Sequence, residues 1–375
     1  MISHIQIIIQ TLNKLAELDN PKIASKSMKV LTKMFQMKIT IPDENVTHGE
    51  NQNGENTHTK HFNSLFSYYF ELIKNPNQLG VCLSVIKKVI NESISLKHLF
   101  YQSGQFDFFM STPILQIPHN FLESFISIVA SCINQDMCIL LPIEIPTQLL
   151  SQIVRILSNL RNSSNPNLYP ASIIDQCARG CYYYTCINNE SKNYFVNNNY
   201  HQLLINSMNS TTDFGKLYLI SALGLCFTSE GIDEKVSKEI PLEIFKDGLE
   251  LQDTTARIDV SVAICNVMSK AGLMIEQIFS NGLYQSMITH FISDNFSIRK
   301  FILEAICIAI RSIPTSCVQM FVCDQLIHCV EELVESEDPK IEELAHDLVL
   351  YLQFDEEHQQ IVEEFVEFLT NNEKD

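Results

Sequence analysis

A chain of 375 residues that is 46% hydrophobic and 19% charged can bury a large core, and 11 glycines and 12 prolines are too few for Gly-rich nucleotide folds or turn-rich β architectures. The net charge of −18 is uneven: residues 331–375 hold 16 acidic and two basic side chains, whereas the rest holds 28 acidic and 24 basic. A near-neutral body with an acidic end offers no electrostatic footprint for nucleic acid, and leaves a basic protein partner open.

The first element is an amphipathic helix on Ile5, Ile8, Ile9, Leu12 and Leu15, an apolar segment without the leading Lys or Arg of a secretory signal. Residues 42–60 have Val46 as their only aliphatic side chain and read as a disordered loop insertion. Further helical stripes follow on Leu122, Phe125, Ile128, Val129 and Cys132, and on Ile341, Leu344, Ala345, Leu348, Val349 and Leu352. Turns or helix starts are expected at Pro21, Pro76, Pro166, Pro241 and Pro339, and a second polar insertion at 161–168. Residues 301–310 form the best membrane-span candidate and already contain Glu304, so no membrane insertion is expected.

Three segments align where one helix ends and the next begins: FYQSGQFDFF at 100–109, FVNNNYHQLL at 195–204 and IFSNGLYQSM at 278–287. Weaker copies centre on His61, Glu144, Glu239 and Asp324. With Gly104, Asn199 and Gly282 they recur at intervals of 43, 40, 55, 40, 43 and 42 residues. Five residues after each marker the side chain is apolar: Phe66, Phe109, Leu149, Leu204, Ile244, Met287 and Cys329. The long interval places an insertion in the 161–168 region.

This period and the two better-preserved junctions, FVNNNYHQLL and IFSNGLYQSM, resemble the armadillo and HEAT helical-repeat families over most of the chain, although only two of the seven markers are glycine. The resemblance implies one all-α domain over residues 1–375, a right-handed α-solenoid of roughly seven or eight armadillo-like units. It also implies a concave surface on which an asparagine late in the third helix of each unit hydrogen-bonds a partner backbone. Asn91, Asn134, Asn188 and Asn266 are the candidates; helix capping fits the same residues. Import receptors of this class add a tryptophan four residues earlier, where this chain has Lys87, Ala130, Tyr184 and Val262, so Tyr184 alone supplies an aromatic ring there. The Tyr182–Tyr184 run fits both an interface anchor and a core.

The twelve cysteines, among them Cys177, Cys181 and Cys186, lack the paired spacing of a structural zinc site and read as reduced, buried hydrophobes. No phosphate-binding glycine motif, zinc-protease motif or nucleophile elbow occurs. The expected function is therefore a non-enzymatic protein-interaction scaffold or adaptor, without metal or cofactor, in the cytoplasm or nucleus, that holds an extended peptide or helix. A clamp on a nucleotide-binding partner, in the manner of an exchange factor or co-chaperone, and a helical-repeat enzyme are the alternatives.

Overall fold

The computed structural model describes residues 76–92, 100, 106–133 and 142–352, except 164, 166, 322, 335 and 337, together with Lys26 and Val30. The expected N-terminal helix, the loop at 42–60, the markers His61 and Gly104, Asn134 and the end of the acidic segment lie outside the described residues.

Sixteen α-helices are described: α1 (Pro76–Glu92), α2 (Phe106–Ser111), α3 (His119–Cys132), α4 (Glu144–Asn162), α5 (Ala171–Thr185), α6 (Asn189–Asn197), α7 (Tyr200–Ser207), α8 (Asp213–Cys226), α9 (Glu234–Glu239), α10 (Glu243–Leu249), α11 (Thr254–Met268), α12 (Ala271–Ser280), α13 (Leu283–Ser293), α14 (Phe296–Ser312), α15 (Asp324–Val334) and α16 (Pro339–Leu352). No strand occurs among the described residues. The chain divides into two compact units, residues 1–180 and 181–375, with the division falling inside α5.

From α6 onward the chain cycles through two short helices and one long one: α6–α7–α8, α9–α10–α11 and α12–α13–α14. The long helices α1, α3, α5, α8, α11, α14 and α16 begin at residues 76, 119, 171, 213, 254, 296 and 339, a step of 41 to 43 residues broken once by 52. That step contains the 19-residue α4, which continues through Asn162, so the first two residues of the region 161–168 are helical.

The start of the long helix is built the same way each time in the second unit. Thr212 Oγ1 accepts the Gly215 N–H at 3.4 Å, Asp253 Oδ1 the Ala256 N–H at 2.8 Å, Asn295 Oδ1 the Ile298 N–H at 3.1 Å and Asp338 Oδ1 the Lys340 N–H at 3.0 Å. Each cap satisfies an N–H that has no partner within its helix. The turn between the two short helices is made in three different ways. Asn199 and Gly282 take left-handed φ values of 57° and 72°, the two positive φ values among the described residues, and Pro241 follows α9 in the third case. Only glycine and, at small cost, asparagine enter that region, which explains why the junction sequence is degenerate while its period is not.

Long helices in the second unit approach closely. A Cβ placed on Gly224 of α8 would lie 2.7 Å from Ala263 Cβ and 2.9 Å from Ala263 Cα of α11. Cys265 Sγ donates to Phe301 O at 3.2 Å and Cys307 Sγ to Leu344 O at 3.5 Å, tying α11 to α14 and α14 to α16. In the first unit, α3 buries Leu122, Phe125, Ile128, Val129 and Cys132 as its stripe predicts, and Phe100, Phe109 and Phe125 stack in sequence with centroids 5.9 and 4.9 Å apart.

His201 is among the buried polar groups of the second unit that are incompletely matched. His201 of α7 is fully buried; its Nε2 lies 3.4 Å from Glu239 Oε2, which also accepts from Gln202 Nε2 at 3.0 Å, while Nδ1 has no hydrogen-bond partner. Burial lowers the imidazole pKa below its ordinary value, against the opposing pull of Glu239. The unfolded chain therefore takes up this proton first as pH falls, so the stability held by the neutral ring is full above about pH 6.5 and is lost below it.

Two measurements follow from this packing. Chemical denaturation of Gly224→Ala should show a loss of about 1–3 kcal/mol from forced separation of α8 and α11, larger than the roughly 1 kcal/mol that alanine gains over glycine inside a helix. In wild type the denaturation midpoint should fall between about pH 7 and pH 5, with a shallower fall in His201→Gln, across the range where an ordinary imidazole titrates.

Candidate functional site

Asn91, Asn188 and Asn266 occupy three different local settings. Asn91, on the last turn of α1, is exposed, and its Oδ1 accepts from Ser131 Oγ of α3 at 2.8 Å. Ser131 also receives Arg179 Nη2 of α5 at 3.1 Å, and Arg179 reaches Ser127 O at 3.2 Å, so Asn91 belongs to a polar tie across three long helices of the first unit. Asn188 lies beyond the end of α5 and caps the N-terminus of α6, accepting the Ser191 N–H at 2.8 Å and its hydroxyl at 3.0 Å. Asn266 is half-exposed on α11, four residues after Val262, which is 40% exposed. Tyr184 is fully buried, edge-on to Tyr194 at 6.2 Å, and presents no ring to a partner.

The other two tyrosines of that run are half-exposed and meet the next long helix. Tyr182 stands 5.8 Å from Tyr183 and 5.6 Å from Tyr218 of α8, Tyr183 stands 6.3 Å from Tyr218, and Phe214 closes on Tyr218 at 5.0 Å. Phe214 is 55% exposed, an unusual position for a ring that packing alone would bury. Burial raises the Tyr182 hydroxyl above the ordinary phenol range, followed by Cys186 and the charge of Asp259, so it stays a neutral donor. Asp259, exposed on α11, is itself raised by burial and then by the charge of Asp253. Tyr182, Tyr183, Phe214 and Tyr218 thus form a partly exposed aromatic cluster between α5 and α8.

The cysteines are positioned for packing. Cys177, Cys181, Cys226, Cys265 and Cys307 are buried, and desolvation pushes the thiols of Cys226, Cys265 and Cys307 up to about 12. They are protonated at neutral pH and supply no thiolate nucleophile. Among the described residues no group of three or more His, Cys, Asp or Glu side chains is placed to hold a metal ion, and no helix is long and apolar enough to cross a membrane.

No family model and no curated protein matches the chain. Among solved structures it is similar to an engineered protein, with TM-score 0.67 and 12% identity over 92% of this chain and 78% of the other. It is also similar to a chain solved in a study of a conserved phosphorylation switch that controls the interaction between cadherin and β-catenin. That match has TM-score 0.62 and 13% identity, and covers 96% of this chain and 63% of the other. The chain has a helical repeat fold. At these identities the likeness extends to the fold alone.

Within this helical repeat, Phe214, Tyr218 and Asp259 are not among the side chains marked by sequence. The i, i+4 spacing of Phe214 and Tyr218 on one helix face was the available signal; their meeting with Tyr182 and Tyr183 across two helices was not. The capping role of Asn188 and the surface position of Asn266 separate in a stability measurement. Asn188→Ala should lower the unfolding free energy by about 1 kcal/mol through the lost cap, and Asn266→Ala should stay within about 0.5 kcal/mol of wild type, as for a surface change.

Proposed function

We propose that the chain is a non-enzymatic scaffold or adaptor, a right-handed α-solenoid of armadillo-like units that holds an extended peptide or a helix of another protein along its long-helix face. The observation that carries this reading is the cluster of Tyr182, Tyr183, Phe214 and Tyr218, rings from two successive long helices left partly in water where burial would be the cheaper state. Aromatic anchors of this kind dominate protein interfaces because they offer large rigid area at low entropic cost. The exposed Val262 and the amide of Asn266 extend the same face with an apolar contact and a group that can both donate to and accept from a backbone. Support also comes from the fold itself, shared with a chain studied for the interaction between cadherin and β-catenin.

Binding on this face is tested by site-specific photo-crosslinking in cells, with a benzophenone amino acid at Val262 on α11 or, as a control, at the exposed Glu276 on α12. Discrete protein adducts from position 262 and none in common from 276 are the expected result. Adducts only from 276, or the same non-specific smear from both, would place any partner elsewhere and sink the long-helix reading.

A further inference from the structure

Four charged or titratable side chains meet where α13 ends. Asp294, which caps that end, places Oδ2 3.0 Å from His290 Nδ1 and Oδ1 3.0 Å from Arg257 Nη2 of α11. His290 Nε2 faces Glu250 Oε1 at 3.3 Å, the carboxylate of the residue that closes α10. The side chains of His290 and Asp294 are 10% and 9% exposed and that of Glu250 is 65% exposed, so the first two are fixed in the interior and the third is free to turn into water. Other charged groups around α13 are engaged or lie in solvent. Asp253, in the turn between α10 and α11, accepts the Ala256 N–H. From α14, Arg299 lies over the Phe291 ring, 5.8 Å from its centroid, and Lys300 is paired with Asp338. Lys246 and Asp247 of α10 and Glu276 of α12 are exposed. α12 and the segment before α15 meet α13 at its opposite end, where Phe279, Phe321 and Cys323 contact Tyr284.

We propose that the proton on His290 Nε2 operates a latch between α13 and the end of α10. Asp294, a carboxylate paired with the Arg257 guanidinium, only accepts, so Nδ1 keeps its hydrogen in either charge state of the ring. Nε2 is therefore the atom that gains and loses the proton. With it, Nε2–H donates to Glu250 in a charge-assisted bond and holds the turn at residues 250–253 against α13. Without it, Nε2 turns a lone pair toward a carboxylate that has only lone pairs to offer, and Glu250, already mostly in water, swings away. The latch is closed at low pH and open at high pH, opposite in sense to His201, whose burial favours the neutral ring. An ion pair this exposed adds little to stability, so the latch governs the turn without carrying the fold. The turn leads into α11, which bears Val262 and Asn266, so the proton acts at the root of the proposed interaction face. The latch itself stands independently of that reading.

The full chain with isotopically labelled histidine ring nitrogens, observed by NMR across pH, tests the latch, with His290→Gln identifying the signals. The neutral His290 ring should carry its hydrogen on Nδ1, a result read in wild type that needs no other variant. Glu250→Gln should move the midpoint of His290 protonation to lower pH. The glutamine amide offers an oxygen to the protonated ring or an N–H to the neutral one, and so favours neither. Hydrogen exchange of the amides at 250–253, corrected for the intrinsic effect of pH on exchange, should show protection falling in wild type as His290 loses its proton. In Glu250→Gln that protection should stay level. Glu250 is exposed and glutamine has its shape, so the variant keeps the fold, and equal helicity verifies this. A neutral ring with its hydrogen on Nε2, a midpoint indifferent to Glu250→Gln, or protection at 250–253 that ignores the charge of the ring each overturns the latch.

Discussion

The packing of α8 on α11 in the second unit depends on one constraint: the two long helices meet at a separation that only small side chains permit. Gly224 against Ala263 sets the distance between α8 and α11, and the buried Cys265 and Cys307 set it further along. Cysteine suits these places for a physical reason: it is about as small as alanine or serine, packs as a hydrophobe, and its S–H makes a weak bond to a carbonyl of the neighbouring helix without demanding a partner. The high cysteine content thus belongs to packing. Burial that raises those thiols well above neutral pH is the electrostatic consequence of the same close approach.

A helix packed on most sides has little surface left with which to act. On α11 Thr254, Thr255, Asp259 and Val262 are exposed and Arg257, Ile258 and Asn266 half-exposed, with exposed Ser269 just past its end. Beyond the first turn and a half, Asp259, Val262 and Asn266 at i, i+3 and i+7 form a narrow stripe. Whatever α11 contributes to recognition must come from that stripe, and so the identity of single residues matters more here than the average polarity of the helix. Interaction surfaces in repeat folds are assembled in this manner, one narrow stripe per unit, with specificity arising from the sum.

The period was legible in sequence because core positions must recur wherever the same helix triplet recurs; Phe109, Leu149, Leu204 and Met287, each five residues after a marker, are all fully or almost fully buried. The junction itself was only partly legible, since Asn199, Pro241 and Gly282 are different solutions to one turn. The recurrent caps Thr212, Asp253, Asn295 and Asp338 carry the repeat more faithfully, for each satisfies an orphan N–H of the first turn, the third residue in three cases and the second at Asp338. The candidate site was harder to read. Asparagines with similar neighbours in sequence end in different settings: Asn91 on α1 meets Ser131, whereas Asn188 lies beyond α5 and caps α6. The aromatic cluster joins residues 36 apart, Tyr182 and Tyr218, and adjacency across helices is a property of packing that a local motif does not encode.

Charge pairing divides the long-helix surface of the second unit into parts of different character. Between α14 and α16 the polar groups are spent on each other: Lys300 with Asp338 at 2.6 Å, Glu304 with Lys340 at 3.1 Å and Arg311 with Asp347. Exposed pairs of this sort contribute about 0–1 kcal/mol each to stability, so they do little to hold the fold. Their effect on recognition is larger, because a partner charge must displace one already in place and gains only the difference between two similar interactions. Glu304 and Asp347 are engaged in this way, whereas Glu342 and Glu343 of α16 are exposed and lie outside these pairs. Selectivity along the face then follows from which carboxylates the chain leaves unpaired, more than from how many it has.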